Sequence, residues 1–211
     1  GAERVSRLGC SQRARAIARL AVVVVLAMTL GVSAATAPAG IEMPAKLPTL
    51  SGPVVITTIG QSPGAMQVGM LLRQLKVQAT HDDSLVVSGL AGKGYKVLIL
   101  TMGTSLKGMG AAGVDLGSEV ARCNALVAEA RKQKMFVIGA QIEGLKRRTD
   151  DSDERSNKAV CAVADLLLIR KEIDHDSYFT NVAKQKGIPL IRTKEALDFR
   201  YALGTLFGVA Q

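Results

Sequence analysis

Four apolar runs, none alternating with polar positions, constrain this chain more than any other feature of it. They read PVVITTI (53–59), YKVLILTM (95–102), MFVIGA (135–140) and ADLLLI (164–169), and helical patterns separate them. A strand with one wet face alternates apolar and polar residues; a strand buried on both faces does not. Parallel strands covered by helices on both sides bury both faces. Right-handed crossovers then lead to an α/β fold, a three-layer, doubly wound, mostly parallel sheet that is flavodoxin-like or Rossmann-like.

The intervening segments fit that plan. Val68, Leu71, Leu72 and Leu75 recur at helical spacing, as do Leu116, Val120, Cys123, Val127 and Ala130 behind an Asp115 cap. A further helix is expected near 153–162, and another where Asp176 caps Phe179, Val182 and Ala183. KVQAT (76–80) is a candidate short strand, with LVV (85–87) as its competitor. IPLIR (188–192) reads as a last strand, placed at an edge by Pro189. A final helix from Thr193 would bury Ala196, Phe199, Leu203 and Leu206. Residues 53–211 therefore form one expected domain. The Ala/Pro-rich stretch 35–52 lacks periodicity and reads as a linker.

Residues 1–34 carry a different signal. Arg7, Arg13, Arg15 and Arg19 precede the uncharged run Leu20 to Val32, and Val32-Ser33-Ala34 follows as a small-residue cleavage site. Those are the regions of a secretory signal peptide in order. The run is shorter than the ~20 residues needed to span a bilayer, so no stable span is expected after processing, and the location implied is the periplasm or the exterior. Five arginines against Glu3 put +4 of the formal +9 charge in this leader, leaving +5 on the remainder. With only seven Phe and Tyr residues in the chain, a basic stripe interleaved with aromatics is missing, so nucleic acid is disfavoured as a partner. Cys123 and Cys161 sit in apolar helical contexts and read as buried thiols rather than a disulfide.

In a doubly wound sheet the loops after the strands share the carboxyl edge, where ligands bind. Here they are GQSPGA (60–65), GTSLKGMGAAG (103–113), GAQIEGLKRRTDD (139–151) and RKEIDHDSY (170–178). The second contains G-M-G-A-A-G, but Gly108 lies too far beyond the strand for a dinucleotide turn, and the acid expected about 20 residues on falls in MFVIGA. Lys107 precedes its glycine, so a Walker loop fails too. No cofactor is expected. Gly108 and Gly110, with Thr104, Ser105 and Lys107, suit a backbone cradle for a carboxylate or phosphate, or else a loop folded on itself. Lys146, Arg147 and Arg148 reach the same edge, to clamp an oxyanion or to pair with the acids beside them. His81 and His175 stand among aspartates without close ligand spacing, so no metal site is assigned. Gly60-Gln61-Ser62-Pro63-Gly64 matches G-x-S-x-G, yet Pro63 lacks the N–H that a nucleophile elbow needs after its serine. Ser62 is expected to line a pocket at a helix start rather than to form an acyl-enzyme.

The ordered series GQS, S-x-KG-x-GAAG, a glutamate in the next helix, RR-x-x-x-SD and AD before a strand resembles a bacterial family of exported single-domain α/β proteins of unknown function, over about Pro53 to Phe207. The resemblance implies that Ser105, Lys107, Arg147, Arg148 and Asp153 belong to one shared feature. There are departures: Gln141-Ile142-Glu143-Gly144 stands where His-Ile-Gly-Gly is usual, Thr149 replaces a glycine, and Pro63-Gly64 replaces Ala-Asp. The resulting expectation is an exported protein holding a small anionic molecule through Gln61, Ser62, Thr104, Ser105, Lys107, Gly108, Gly110, Arg147, Arg148 and Asp153. A hydrolase or transferase using the same crevice, and a scaffold without a small-molecule site, are the alternatives.

Overall fold

The computed structural model describes residues 37–209; the leader expected at 1–34 lies outside them. In chain order the elements are β1 (Ile41–Glu42), β2 (Val54–Ile59), α1 (Gly64–Gln74), β3 (Ala79–His81), α2 (Val87–Leu90), β4 (Val97–Met102), α3 (Leu106–Ala112), α4 (Leu116–Lys132) and β5 (Phe136–Gln141). A 3₁₀ turn (Gly144–Arg147) leads to α5 (Asp151–Val163) and β6 (Leu166–Arg170). A second 3₁₀ turn (Lys171–Asp174) precedes α6 (Tyr178–Lys186), β7 (Leu190–Thr193) and α7 (Asp198–Leu206).

The strands form one sheet in the order β1-β7-β6-β5-β4-β2-β3, parallel throughout except for β1 against β7. Strand order reverses between β2 and β4, so the sheet is doubly wound and flavodoxin-like as expected. The pleat divides each apolar run between two cores. Val55, Ile59, Leu98 and Leu100 face the layer that holds Cys123, Leu126 and Phe179, from α4 and α6. Val54, Ile56, Val97 and Ile99 face Val68, Leu72, Phe199 and Leu203 of α1 and α7. Every residue of β2 and β4 is buried, which is why neither run alternates in sequence. Each fully buried Leu, Ile or Phe contributes about 1.5–3 kcal/mol relative to an exposed one. Cys123 and Cys161 are buried free thiols, each pushed up to about 12 by burial.

Three expectations change. The stretch read as a linker packs onto the domain: Ile41 is buried in β1, Met43, Leu47 and Leu50 cover the α1/α7 core, and Leu50 N–H donates to the Leu206 carbonyl. An extended wrap buries its apolar residues singly, so it shows no period. Because β1 caps β7, the Pro189 strand is not an edge, and Glu42 of β1 pairs with Lys171 and Arg192. As expected, KVQAT leads into the second parallel strand, β3, whereas Val87 of its competitor opens the short α2. Helix α7 starts at Asp198 rather than Thr193, which ends β7. No helix among the described residues is long and apolar enough to cross a membrane.

Candidate functional site

The reversal between β2 and β4 is where a doubly wound sheet opens a crevice. Here the chain itself fills it. Gln61, at φ +58°, forms an isolated bridge with Thr104, and Ser105 N–H donates to the Gly60 carbonyl at 2.8 Å. A Cβ on Gly60 would lie 2.6 Å from the Gly103 carbonyl oxygen, and one on Gly108 would lie 2.3 Å from that of Gln61. Glu119 of α4 sits beneath this closure. Its Oε2 accepts from Gly60 N–H (2.8 Å), Gln61 Nε2 (3.1 Å) and Arg122 Nη2 (2.8 Å).

The glycine-rich stretch is not a cradle. Leu106–Ala112 is helix α3, with Ser105 as its N-cap accepting from Gly108 N–H at 3.1 Å and Gly113 as its left-handed C-cap. Its glycines therefore provide close helix-to-loop contact at Gly108 rather than a nest of inward amides. Gly110 has open space around it, and Lys107 is exposed. Thr104 turns to Asp153, which is buried: Oδ1 accepts from Thr104 N–H and Oγ1, both at 2.8 Å, and Oδ2 from Thr149 N–H and Oγ1. Gln61, Thr104, Ser105, Gly108 and Asp153 thus form a connected scaffold that ties the loops after β2 and β4 to α4 and α5.

The two arginines diverge instead of forming one clamp. Arg147 donates through Nε to Glu143 Oε1 (2.9 Å) and through Nη1 to the Thr104 carbonyl (2.7 Å). Arg148 is 5% exposed in its side chain. It donates to Glu154 Oε1 (2.8 Å), to Asp176 Oδ1 and Oδ2 (2.8 and 2.6 Å) and to the Ile173 carbonyl. Its guanidinium lies 5.2 Å from the Phe179 ring centroid and 5.8 Å from that of Tyr178. Hydrogen bonding to Asp176, and then to Glu154, raises its pKa above the ordinary arginine range. Arg148 therefore anchors α6, and an intrinsic pairing with neighbouring acids, weighed as the alternative to a clamp, is what forms.

An open crevice lies one step along the sheet edge. It has a volume of about 650 Å³ and is bounded by Pro63 and Gln67 of the α1 end, Glu143, Lys146 and Arg147 after β5, and Arg170 and Glu172 after β6. Gly144, at φ +70°, shapes the β5 loop, and a Cβ there would lie 1.9 Å from Glu172 Oε1. Buried Gln141 holds that glycine at both ends, donating from Nε2 to its carbonyl (2.8 Å) and accepting its N–H at Oε1 (2.9 Å). Arg170 pairs with Glu172 at 3.2 Å and Arg147 with Glu143, while Lys146 is exposed and has no ion-pair partner among the described residues. The lining thus carries three basic and two acidic side chains.

The Glu143 side chain is 8% exposed, and its buried Oε2 has no hydrogen-bond partner among the described residues. That oxygen lies 3.2 Å from where a Cβ on Gly64, the first residue of α1, would stand. No side chain caps α1 and no acid occupies its first turn, so Glu143 supplies the negative charge at the positive end of the helix. Ser62 is 1% exposed and its Oγ is also unpartnered. Pro63 is the N-cap of α1, and a serine so buried is not raised on an exposed elbow. Next to the crevice, Met70, Leu71 and Leu197 line an apolar groove that shares Gln67, Ile142 and Ala196 with it.

Of the residues singled out from sequence, Arg147 and the flagged Lys146 reach this crevice; Glu143, Gln67, Arg170 and Glu172 were missed as lining residues. The departure at Glu143, where a glycine is usual, was the visible signal for the first. His81 Nε2 contacts Asp83 Oδ1 at 2.7 Å, and no group of three metal-ligating side chains occurs among the described residues.

A family described as a domain of unknown function, DUF6305, matches residues 51–207. No curated protein matches the chain. Among solved structures, a flavodoxin from the domain Archaea is similar at 12% identity, covering 74% of this chain and 96% of that one, with a TM-score of 0.36. A GDP-L-fucose synthetase from Naegleria fowleri bound to NADP is similar at 11% identity, covering 72% of this chain and 52% of that one, with a TM-score of 0.35.

Proposed function

The chain belongs to the DUF6305 family of domains of unknown function, and from that premise we propose that it is an exported protein that binds a small anionic molecule in the crevice between α1 and the loops after β5 and β6. The observation that carries this reading is the crevice's charge: three basic side chains against two acidic ones, with no ion-pair partner for Lys146 among the described residues. An unpaired ammonium beside a mainly positive lining attracts an anion. Export is supported by the order of charged, apolar and small residues over 1–34. Arg147 is the residue common to the sequence expectation and this crevice. Lys107 and Arg148 take no part in it.

Thermal denaturation against a panel of carboxylates and phosphates tests the reading. An anion at 100 times its dissociation constant is expected to stabilise the fold by about 2.7 kcal/mol. Lys146→Ala should reduce that shift and Lys107→Ala should leave it unchanged. No shift from any anion, or equal loss in both variants, would remove the crevice as the site. The hydrolase or transferase alternative finds no accessible nucleophile in Ser62, whose side chain is buried.

A further inference from the structure

We infer that the anion bound in this crevice carries an unbranched aliphatic tail, and that the tail lies in the apolar groove lined by Met70, Leu71 and Leu197. The inference rests on the reading of the crevice as an anion site and narrows the ligand class.

The two spaces are continuous, because Gln67, Ile142 and Ala196 line both. Their chemistry changes across that shared wall. The crevice carries three basic and two acidic side chains, whereas no residue lining the groove is charged. Leu71 and Ile142 belong to the core under α1 and α7, so the groove is where that core reaches the surface. Met70 is 51% exposed and Leu197 74%. Single exposed apolar residues are ordinary. Here two border one groove, and a third, Leu145, lines the adjoining crevice. Exposed Met66 precedes Met70 by four residues and so shares its face of α1. An apolar cavity of about 150 Å³ takes up benzene. The groove measures about 170 Å³, which suits a tail of about six carbons. Acetate alone would leave this surface wet. A wholly apolar molecule would leave Lys146, which has no ion-pair partner among the described residues, without a counter-charge. A straight-chain carboxylate meets the crevice with its charge and the groove with its methylenes.

Isothermal titration of the full chain with acetate, butanoate, hexanoate and octanoate tests this, with hexanol as the uncharged control. A methylene wholly removed from water corresponds to about fourfold in affinity, and to about twofold in a groove open on one side. Hexanoate should therefore bind at least about tenfold tighter than acetate and than hexanol. Lys146→Ala should weaken acetate and hexanoate by the same factor. Met70→Gln with Leu197→Asn, both at exposed positions, should cut the hexanoate advantage over acetate below about threefold. Equal binding along the wild-type series, with binding still weakened in Lys146→Ala, overturns this inference and leaves the anion site standing. A chain-length gain that survives in the double variant puts the tail elsewhere and overturns it as well. So does a wild-type dimer that the double variant dissolves without any chain-length gain, since a second copy then covers the groove. No binding by any acid overturns both readings.

Discussion

Gln61 and Thr104 form an antiparallel bridge across the one place where this sheet's strand order reverses. That contact moves the candidate site. In a doubly wound sheet the reversal is the expected ligand crevice, but here the loops after β2 and β4 lie against each other. Glu119 bonds both loop residues Gly60 and Gln61 from below. The open space at the carboxyl edge is therefore beside α1, over β5 and β6.

The closure depends on one buried ion pair. The Glu119 side chain is 2% exposed and bridges Arg122 to the β2 loop. Arg122 also donates to Thr57 Oγ1 and to the Leu85 and Thr58 carbonyls. Glu119→Ala strands Arg122 and the Gly60 N–H, and removing one partner of a buried pair costs about 3–5 kcal/mol. Urea denaturation should show a loss of that size. A loss under about 1 kcal/mol would mean the bridge is not what holds the loops together.

The glycines of α3 should respond to substitution with opposite signs. A Cβ on Gly108 would lie 2.3 Å from the Gln61 carbonyl oxygen, so Gly108→Ala forces the loop apart at about 1–3 kcal/mol. Gly110 has nothing within 4 Å and sits in a helix, so Gly110→Ala should stabilise by about 0.5–1 kcal/mol. Thermal midpoints that move the same way for both would contradict the packing role given to Gly108.

Asp176 gives the acid limb a defined sign. Hydrogen bonding to Arg148 holds its carboxyl well below the usual carboxylate range. A depressed folded pKa contributes stability above the unfolded value of about 3.9, lost as pH falls through the folded value. Asp176 is 45% exposed, so the pair is worth no more than about 1 kcal/mol. Asp176→Asn should be less stable by up to that amount at neutral pH, with the gap closing below about pH 4. A gap that stays constant down to about pH 2 would point to lost packing rather than charge.

How much was legible in the sequence follows from what each residue answers to. The sheet was legible because burial on both faces makes Val97–Met102 and Leu166–Ile169 continuously apolar, and that is a local pattern. β1 was not, because Ile41 and Glu42 owe their strand to β7, some 150 residues away. The glycine stretch read as a loop because Gly108 and Gly110 weaken helix propensity, and the Ser105 and Gly113 caps outweigh that. Arg147 and Arg148 are identical in sequence terms, and only the turn of a 3₁₀ segment sends one to the crevice and the other under α6. Glu143 was noted as a departure, but the burial of its side chain against the first turn of α1 is a tertiary fact.

Export leaves a testable boundary. Processing after Ala34 would retain Ile41 and Glu42, and with them the cover on β7. Expressed in a bacterium, the protein should be recovered outside the cytoplasm with its N-terminus near Ala35, read by intact-mass spectrometry. Soluble cytoplasmic protein that keeps residues 1–34 would count against export.

The location of the site is tested most directly by amide chemical shifts during titration with glycerol 3-phosphate. The expected result is saturable movement of the signals from Gly64 to Gln67 and from Glu143 to Arg147, with the Lys107–Gly113 signals still. Movement centred on Thr104–Gly113, or none anywhere, would contradict a ligand crevice displaced from the closed reversal between β2 and β4.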